Sequence, residues 1–201
     1  MLNKIYFNNL GYIESRLPDD LFLKIKEEIF KIKEGYTKEY ITGLTGNGVP
    51  KHYSLNKNLK ELNEFLKNLI IEFDKEYDYL KHISILDKNV PLFFKKPWIN
   101  FQKKFEFLPH HIHDGVFSYN IWIQIPYDID KELSNGKHAS LFEFIYTNIL
   151  GQTRNHLIKI DKSFEGKIIL FPSSLMHGVY PFYTSNEIRI SVAGNIHLKS
   201  S

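Results

Sequence analysis

Two stretches in the first half of the chain repeat apolar side chains at helical spacing. The first, residues 18–34, opens with Asp19 and Asp20, and acidic groups suit the start of a helix. The second, residues 56–81, places its apolar positions three and four residues apart, at Leu59, Leu62, Leu66, Leu69, Ile70, Phe73, Tyr77 and Leu80. These spacings predict two amphipathic helices, the second long and uninterrupted. Between them, glycines, Asn and Pro predict a loop with a short strand near residues 39–41.

From Pro91 onward the pattern changes to short apolar or aromatic segments separated by Pro, Gly, Asn and Asp, which is typical of a sandwich or barrel of short strands. The predicted strands are residues 98–105, 117–125, 139–148, 155–160, 167–171, 177–181 and 187–197. A chain of 201 residues fits one domain. We therefore expect a mainly β (α+β) domain, with a helical N-terminal part at 1–90 that buttresses a β core at 91–201.

Composition narrows the chemistry that this domain can perform. The chain contains no cysteine, so a metal site must use histidine and carboxylate ligands. The net charge is only +3, with acidic and basic residues interspersed, so binding to nucleic acid is not indicated. The N-terminus lacks the pattern of a signal peptide, and no apolar run is long enough to span a membrane. We expect a cytoplasmic protein without a membrane partner.

Histidines are concentrated in two short segments of the β-rich half. Because alternate residues of a strand point to one side, His111 and His113 can present two imidazoles to one metal ion. His177, which follows the apolar strand 167–171 and a turn, is the natural third ligand. Three protein ligands leave open positions for a co-substrate and oxygen, which is the arrangement of non-haem Fe(II) oxygenases.

Arg189 lies in an alternating segment twelve positions after His177. An inward-facing arginine is costly to bury unless it meets an anion, and its planar guanidinium matches a carboxylate. Ser191, on the same face, can add a hydroxyl contact. These two residues are predicted to hold the far carboxylate of a dicarboxylic co-substrate, with Asn100 and Ser118 as further candidates for contacts to it.

The segments that carry these residues resemble one known family. Residues 98–128, WINFQKKFEFLPHHIHDGVFSYNIWIQIPYD, and residues 166–196, GKIILFPSSLMHGVYPFYTSNEIRISVAGNI, are similar to the Fe(II)/2-oxoglutarate oxygenases, and more narrowly to a branch of small proteins from marine bacteria and phages. The resemblance covers roughly the C-terminal half. It implies a double-stranded β-helix (a cupin-like jelly roll), Fe(II) and 2-oxoglutarate as cofactors, and oxidation of a substrate C–H bond with release of succinate and CO2.

One departure from that family concerns the metal ligands. Most of the superfamily has His-x-Asp or His-x-Glu where this chain has His111-Ile112-His113. Three arrangements are open: a three-histidine site, a distorted turn that brings in Asp114 as the carboxylate, or His110 in place of one member of the pair. The first is favoured, because a period-two strand separates Asp114 from the face of His113.

Two other functions fit the same residues. One is a cupin-type three-histidine dioxygenase or isomerase that does not use 2-oxoglutarate, in which Arg189 would bind the substrate's own carboxylate. The other is a non-catalytic jelly-roll protein that binds a carboxylated ligand or a sugar. For an oxygenase, a peptidyl side chain and a free small molecule are the leading substrate candidates, and the sequence does not indicate an oligomeric state.

Overall fold

The computed structural model describes residues 9–35, 51–83 and 91–198. The short strand that the sequence predicts near residues 39–41 lies outside these ranges. The helices are α1 Asp19–Gly35, α2 Leu59–Tyr77, α3 Tyr79–His82 and α4 Ile129–Asn135, with a 3-10 turn at Lys162–Phe164. The strands are β1 Ile13–Arg16, β2 Lys51–Ser54, β3 Leu92–Phe94, β4 Trp98–Gln102, β5 Leu108–His111, β6 Phe117–Gln124, β7 Phe142–Thr147, β8 Thr153–Ile158, β9 Lys167–Pro172, β10 Met176–Val179 and β11 Arg189–Leu198.

The strands form two antiparallel sheets. The larger sheet has the order β1-β9-β6-β11-β4-β2, with β3 also paired to β11, and the smaller has the order β5-β10-β7-β8. Aromatic and branched side chains from both sheets, such as Trp122, Phe142 and Phe171, form a common core. This pairing of two sheets confirms the predicted jelly roll.

The larger sheet is buried on its other face as well. There Ile121, Ile190 and Val192 pack in one cluster with Ile25 of α1 and Leu66 of α2, all essentially inaccessible to solvent. Burial on both faces explains why these strands contain few charged residues. It also confirms that the helices buttress the β core. None of the described helices is both long and apolar enough to cross a membrane.

The prediction of one uninterrupted helix over residues 56–81 is wrong. The helix breaks at Asp78, whose backbone adopts a left-handed conformation with φ 46°. The carboxylate of Asp74 accepts a hydrogen bond from the backbone N–H of Leu80, which stabilises the break. Side-chain bonding of this kind competes with helix continuation and leaves the apolar spacing unchanged, so the spacing did not reveal it.

Several strand predictions differ from the structure in extent. The strand predicted over 98–105 ends at Gln102, because Phe105 has a positive φ of 70° and Lys103 N donates to the carboxylate of Glu106. Strands β1, β2 and β3 were not predicted, and the strand assumed for His111 and His113 is β5, which ends at His111. Of these, β1 and β2 come from the N-terminal part and extend opposite edges of the larger sheet.

Candidate metal centre

Three imidazoles meet between the two sheets. His177 of β10 is the direct cross-strand partner of His111, the last residue of β5. The ring centroids of His111 and His177 are 4.5 Å apart, and that of His113 is 4.8 Å from the first and 5.0 Å from the second. Their potential ligand atoms all lie within 4.8 Å of one another. The structure therefore places the three predicted ligands close together.

Strand alternation, from which the sequence paired His111 with His113, explains the position of only one of them. The strand ends at His111, so His113 does not share its pleat. Instead, the backbone N–H of His113 donates to the carbonyl of Ser173 at 2.9 Å, which ties this turn to the segment just before His177. Ile112 between the two histidines is 57% exposed, so its side chain turns away from the interior.

Hydrogen bonds to the main chain orient two of the rings. Nδ1 of His111 lies 2.7 Å from the carbonyl of Pro109, and Nδ1 of His177 lies 2.9 Å from the carbonyl of Leu175. A carbonyl only accepts, so Nδ1 carries the proton and Nε2 keeps its lone pair for a metal. Phe142 stacks on His177 at 5.6 Å and fixes the plane of that ring.

The protonation state also favours metal binding. Burial, with a contribution from the nearby His111, lowers the pKa of His113 to about 4. Burial likewise lowers the pKa of His177 to about 3, again with a contribution from His111. At neutral pH these two imidazoles are therefore uncharged ligands. Metal–nitrogen bonds of about 2.1 Å put ligand nitrogens roughly 3–4 Å apart, so small ring rotations would complete the set.

The two alternative ligands are bonded to other partners. The side chain of Asp114 is 66% exposed. It accepts one hydrogen bond from Lys95 at 2.6 Å and another from Asn195 at 3.2 Å. His110 lies on the opposite face of β5 and binds the carboxylate of Glu143 at 2.6 Å. Neither belongs to the group of close ligand atoms formed by the three histidines. The geometry favours the three-histidine arrangement.

The three histidines line a cavity of about 440 Å³. This volume is in the range that holds a small co-substrate and part of a substrate. Its wall also includes Asn100, which was a candidate from the sequence, and His52, Lys95 and Asn120, which were not. In the sequence, His52 falls in a segment whose Gly, Asn and Pro residues predict a loop. The alternation of the short strand β2 is therefore not visible there.

Arg189 is buried, as predicted, with 3% of its surface exposed. Its guanidinium donates to the side chains of Gln102 and Tyr127 and to the carbonyls of Ser140 and Tyr180. These five hydrogen bonds use all five N–H donors, and every acceptor is neutral. A buried guanidinium without a carboxylate among its described partners suits an anionic ligand, which must displace some of these acceptors.

The other predicted contacts lie on the inner face of the larger sheet. Ser191 accepts a hydrogen bond from the Asn100 amide at 3.1 Å, so these two candidates are neighbours. Ser118 is almost fully buried, and its hydroxyl is bonded to Ser173 and to Asn195. Unlike Asn100, it does not line the cavity, and neither do Arg189 and Ser191. Roles of Ser118, Arg189 and Ser191 in cofactor binding therefore stay predictions.

The outer face of the smaller sheet carries a separate polar group. Glu143 of β7 is 3% exposed and accepts hydrogen bonds from His110, Asn155 and Tyr180. Burial opposes ionisation of Glu143, but the three hydrogen bonds outweigh it and lower its pKa. Burial and the adjacent carboxylate raise the pKa of Tyr180 to about 12. One carboxylate thereby links β5, β7, β8 and the segment after β10.

Comparisons with known proteins agree with this architecture. Residues 96–195, about half of the chain, match the family model described as "Putative 2OG-Fe(II) oxygenase". A prolyl-4-hydroxylase from Pseudomonas putida superimposes with a TM-score of 0.62 and 11% identity, over 94% of each chain. The carbocyclase SnoK from nogalamycin biosynthesis gives 0.59 and 10% over 94% of this chain and 80% of that one.

A viral collagen prolyl hydroxylase from Paramecium Bursaria Chlorella virus-1 gives a TM-score of 0.52 and 15% identity, over 92% of this chain and 94% of that one. At such identities the likeness to solved structures shows a common fold. Comparison with curated protein sequences found no match to the chain.

Proposed function

Because the chain belongs to the 2OG-Fe(II) oxygenases, which are Fe(II)- and 2-oxoglutarate-dependent oxidoreductases, we propose that it couples oxidative decarboxylation of 2-oxoglutarate to hydroxylation of a substrate. When bound, Fe(II) and 2-oxoglutarate supply the oxidising chemistry, in which 2-oxoglutarate and O2 yield succinate and CO2 and one oxygen atom enters a substrate C–H bond. The observation that carries the proposal is the cluster of His111, His113 and His177 in a cavity that can hold a small co-substrate and part of a substrate.

In this proposal the three histidines would hold the metal through ring nitrogens, which are Nε2 in His111 and His177. The carbonyls of Pro109 and Leu175 keep two of the rings in the ligating tautomer. Phe142 and Phe171 pack on His177 and exclude water from one side of the site. An all-imidazole set carries one more positive charge than two histidines and a carboxylate, so a dianionic co-substrate balances it.

Arg189 and Ser191 are proposed to bind the far carboxylate of 2-oxoglutarate. Both lie on the inward face of β11, and Arg189 is a buried cation whose described partners are neutral. Binding would exchange some of these neutral acceptors for carboxylate oxygens, which form stronger, charge-assisted hydrogen bonds. Asn100 contributes indirectly, because its amide N–H orients the hydroxyl of Ser191.

The substrate candidates are a peptidyl side chain and a free small molecule. The proteins with similar structures include two prolyl hydroxylases and the carbocyclase SnoK. Each class can be tested by mass spectrometry for a gain of one oxygen atom in a peptide library or a metabolite mixture.

Formation of succinate without added substrate tests the cofactor requirement. We expect the enzyme to decarboxylate 2-oxoglutarate slowly even without its substrate. Succinate should therefore form, but only when Fe(II), 2-oxoglutarate and O2 are all present. The His111→Ala variant should form none. His110→Ala is the matched control, because this neighbouring histidine lies on the opposite face of the strand. Equal succinate formation by the wild type and His111→Ala would contradict the proposed site.

A further inference from the structure

Two buried polar atoms in the wall of the cavity lack a partner. Among the residues that the structure describes, Nε2 of His52 and Oδ1 of Asn100 are inaccessible to solvent and make no hydrogen bond. Both side chains line the same cavity as the three histidines. Buried polar atoms are nearly always hydrogen-bonded, so two such atoms in one cavity wall indicate a partner that comes from outside the chain.

The two atoms are neighbours in the fold. His52 of β2 and Asn100 of β4 are direct cross-strand partners, so their side chains emerge on the same face of the sheet. Trp98 lies beside them, with its ring centroids 6.5 Å from His52 and 5.5 Å from His113. A group bound by the pair would thus lie one aromatic ring away from the metal centre.

The hydrogen-bonding capacity of the pair defines the chemistry of its ligand. The Asn100 amide N–H is already directed at Ser191, which leaves the side-chain oxygen as the acceptor without a partner. A neutral imidazole offers one donor and one acceptor, and an amide can rotate against a serine hydroxyl. The pair can therefore satisfy a group that both donates and accepts a hydrogen bond.

Charge limits the choice further. Lys95 is the cationic side chain described in this wall, and its ammonium group is already paired with Asp114 at 2.6 Å. Neither His52 nor Asn100 provides a counterion for a charged group, and burial of an unpaired charge is expensive. A neutral group is the better match.

We propose that His52 and Asn100 form a substrate subsite that binds a neutral amide or hydroxyl group, while Trp98 packs against the adjoining apolar part of the substrate. This inference rests on the proposed oxygenase function, because it takes the cavity as the place where the substrate meets the metal. It assigns substrate recognition to β2, at the edge of the larger sheet, and leaves metal binding to the smaller sheet and its turn.

The test uses four small probes of similar shape: acetamide, 2-propanol, acetone and acetate. The protein is loaded with Zn(II) and N-oxalylglycine, an unreactive analogue of 2-oxoglutarate, and each probe is titrated while the imidazole ¹⁵N shifts of His52 are recorded. We expect acetamide or 2-propanol to bind about twofold to tenfold more tightly than acetone and acetate, the gain typical of a net hydrogen bond. Acetamide and 2-propanol distinguish an amide from a hydroxyl substrate.

Variants separate recognition from other roles of the pair. In His52→Ala the preference among the probes should disappear, while the affinity for Zn(II) stays within twofold. His156→Ala is the matched control, because His156 is outside the cavity and binds the Tyr12 hydroxyl. This variant should keep the preference of the wild type.

Three results would overturn the subsite: tightest binding of acetone or acetate, a preference that survives in His52→Ala, or a loss of Zn(II) affinity in that variant, which would make His52 a metal ligand. The series is repeated on the metal-free protein. If Zn(II) and N-oxalylglycine fail to bind, the proposed oxygenase function fails, and the probe series on the metal-free protein still decides the subsite.

Discussion

The histidine cluster and the surroundings of Arg189 both lie between the two sheets, but their hydrogen-bonding groups are occupied to different extents. In the cluster, His111 and His177 each use one ring nitrogen on a main-chain carbonyl and keep the other for a ligand. Around Arg189, all five N–H donors are occupied by protein acceptors. The first region is preorganised to receive its ligand, whereas the second must exchange hydrogen bonds to receive one.

This difference separates the two cofactors energetically. Metal binding should need little rearrangement, because the three imidazoles are already close together and burial lowers the pKa of His113 and His177 so that these two are uncharged. Binding of 2-oxoglutarate through Arg189 gives up contacts with Gln102 or with the carbonyls of Ser140 and Tyr180 before new ones form. We therefore expect substitutions in the two regions to have separable effects on metal and co-substrate affinity.

The largest effect is expected for His177→Ala. Loss of one of three ligands should weaken Fe(II) binding by roughly 100-fold or more, because loss of outer-shell partners alone costs about 10–100-fold. Anaerobic calorimetry with Fe(II) measures this directly. His110→Ala should bind Fe(II) like the wild type. Retention of wild-type Fe(II) affinity in His177→Ala would remove this residue from the site.

Arg189→Ala should affect the co-substrate and spare the metal. We expect the 2-oxoglutarate concentration for half-maximal succinate formation to rise about 10–100-fold, the range for charge-assisted hydrogen bonds, with Fe(II) affinity within twofold. Because five buried hydrogen bonds are also lost, the free energy of unfolding should be measured alongside. An unchanged requirement for 2-oxoglutarate in a folded variant would make Arg189 a purely structural residue.

The metal-free protein should become less stable in mild acid. Burial lowers the pKa values of His113 to about 4 and of His177 to about 3, whereas the unfolded chain titrates near 6.5. The unfolded state therefore binds more protons below pH 6.5, and stability falls as pH decreases toward 4. Between pH 7 and 5.5 each of these two histidines should lower the free energy of unfolding by about 1 kcal/mol.

Urea unfolding at the two pH values measures this loss. The His177→Gln variant should lose less stability on acidification than the wild type, because one of the two depressed groups is absent. An equal loss in both proteins would show that these buried histidines do not govern the acid response.

The smallest effect is expected for Glu143→Gln on the outer face of the smaller sheet. The amide keeps the shape and one acceptor, so we expect a loss of about 1 kcal/mol in the free energy of unfolding. Fe(II) affinity should change by less than about threefold, since both main-chain contacts to the ligand histidines remain. Calorimetry and urea unfolding of the same sample test both numbers, and a larger loss of Fe(II) affinity would make Glu143 a positioning residue for the metal centre.

The sequence predicted features that depend on local periodicity and missed those that depend on pairing. Alternation correctly placed Arg189 on an inward face, but its partners Gln102, Tyr127 and Ser140 come from three distant segments. Histidine spacing identified His111, His113 and His177, although only the first and last lie on strands. No local signal distinguishes an edge strand of four residues from a loop.

That limit accounts for His52. Strand β2 is recognisable only through its pairing with β4, which joins residues nearly fifty positions apart. Similarly, the helix break at Asp78 depends on a hydrogen bond from Leu80 to Asp74, which leaves the hydrophobic pattern intact. The apolar core and the histidine cluster could therefore be predicted, whereas strand β2 at the edge of the larger sheet could not.

The most direct test of the central claim is an anaerobic Fe(II) titration with and without 2-oxoglutarate, monitored in the visible region. A 2-oxo acid chelated to Fe(II) produces a weak metal-to-ligand charge-transfer band. We predict that the band forms only with both components in the wild type and is absent in His177→Ala. Iron binding without this band would contradict the joint site for Fe(II) and 2-oxoglutarate, and a band of full intensity in His177→Ala would contradict the three-histidine centre.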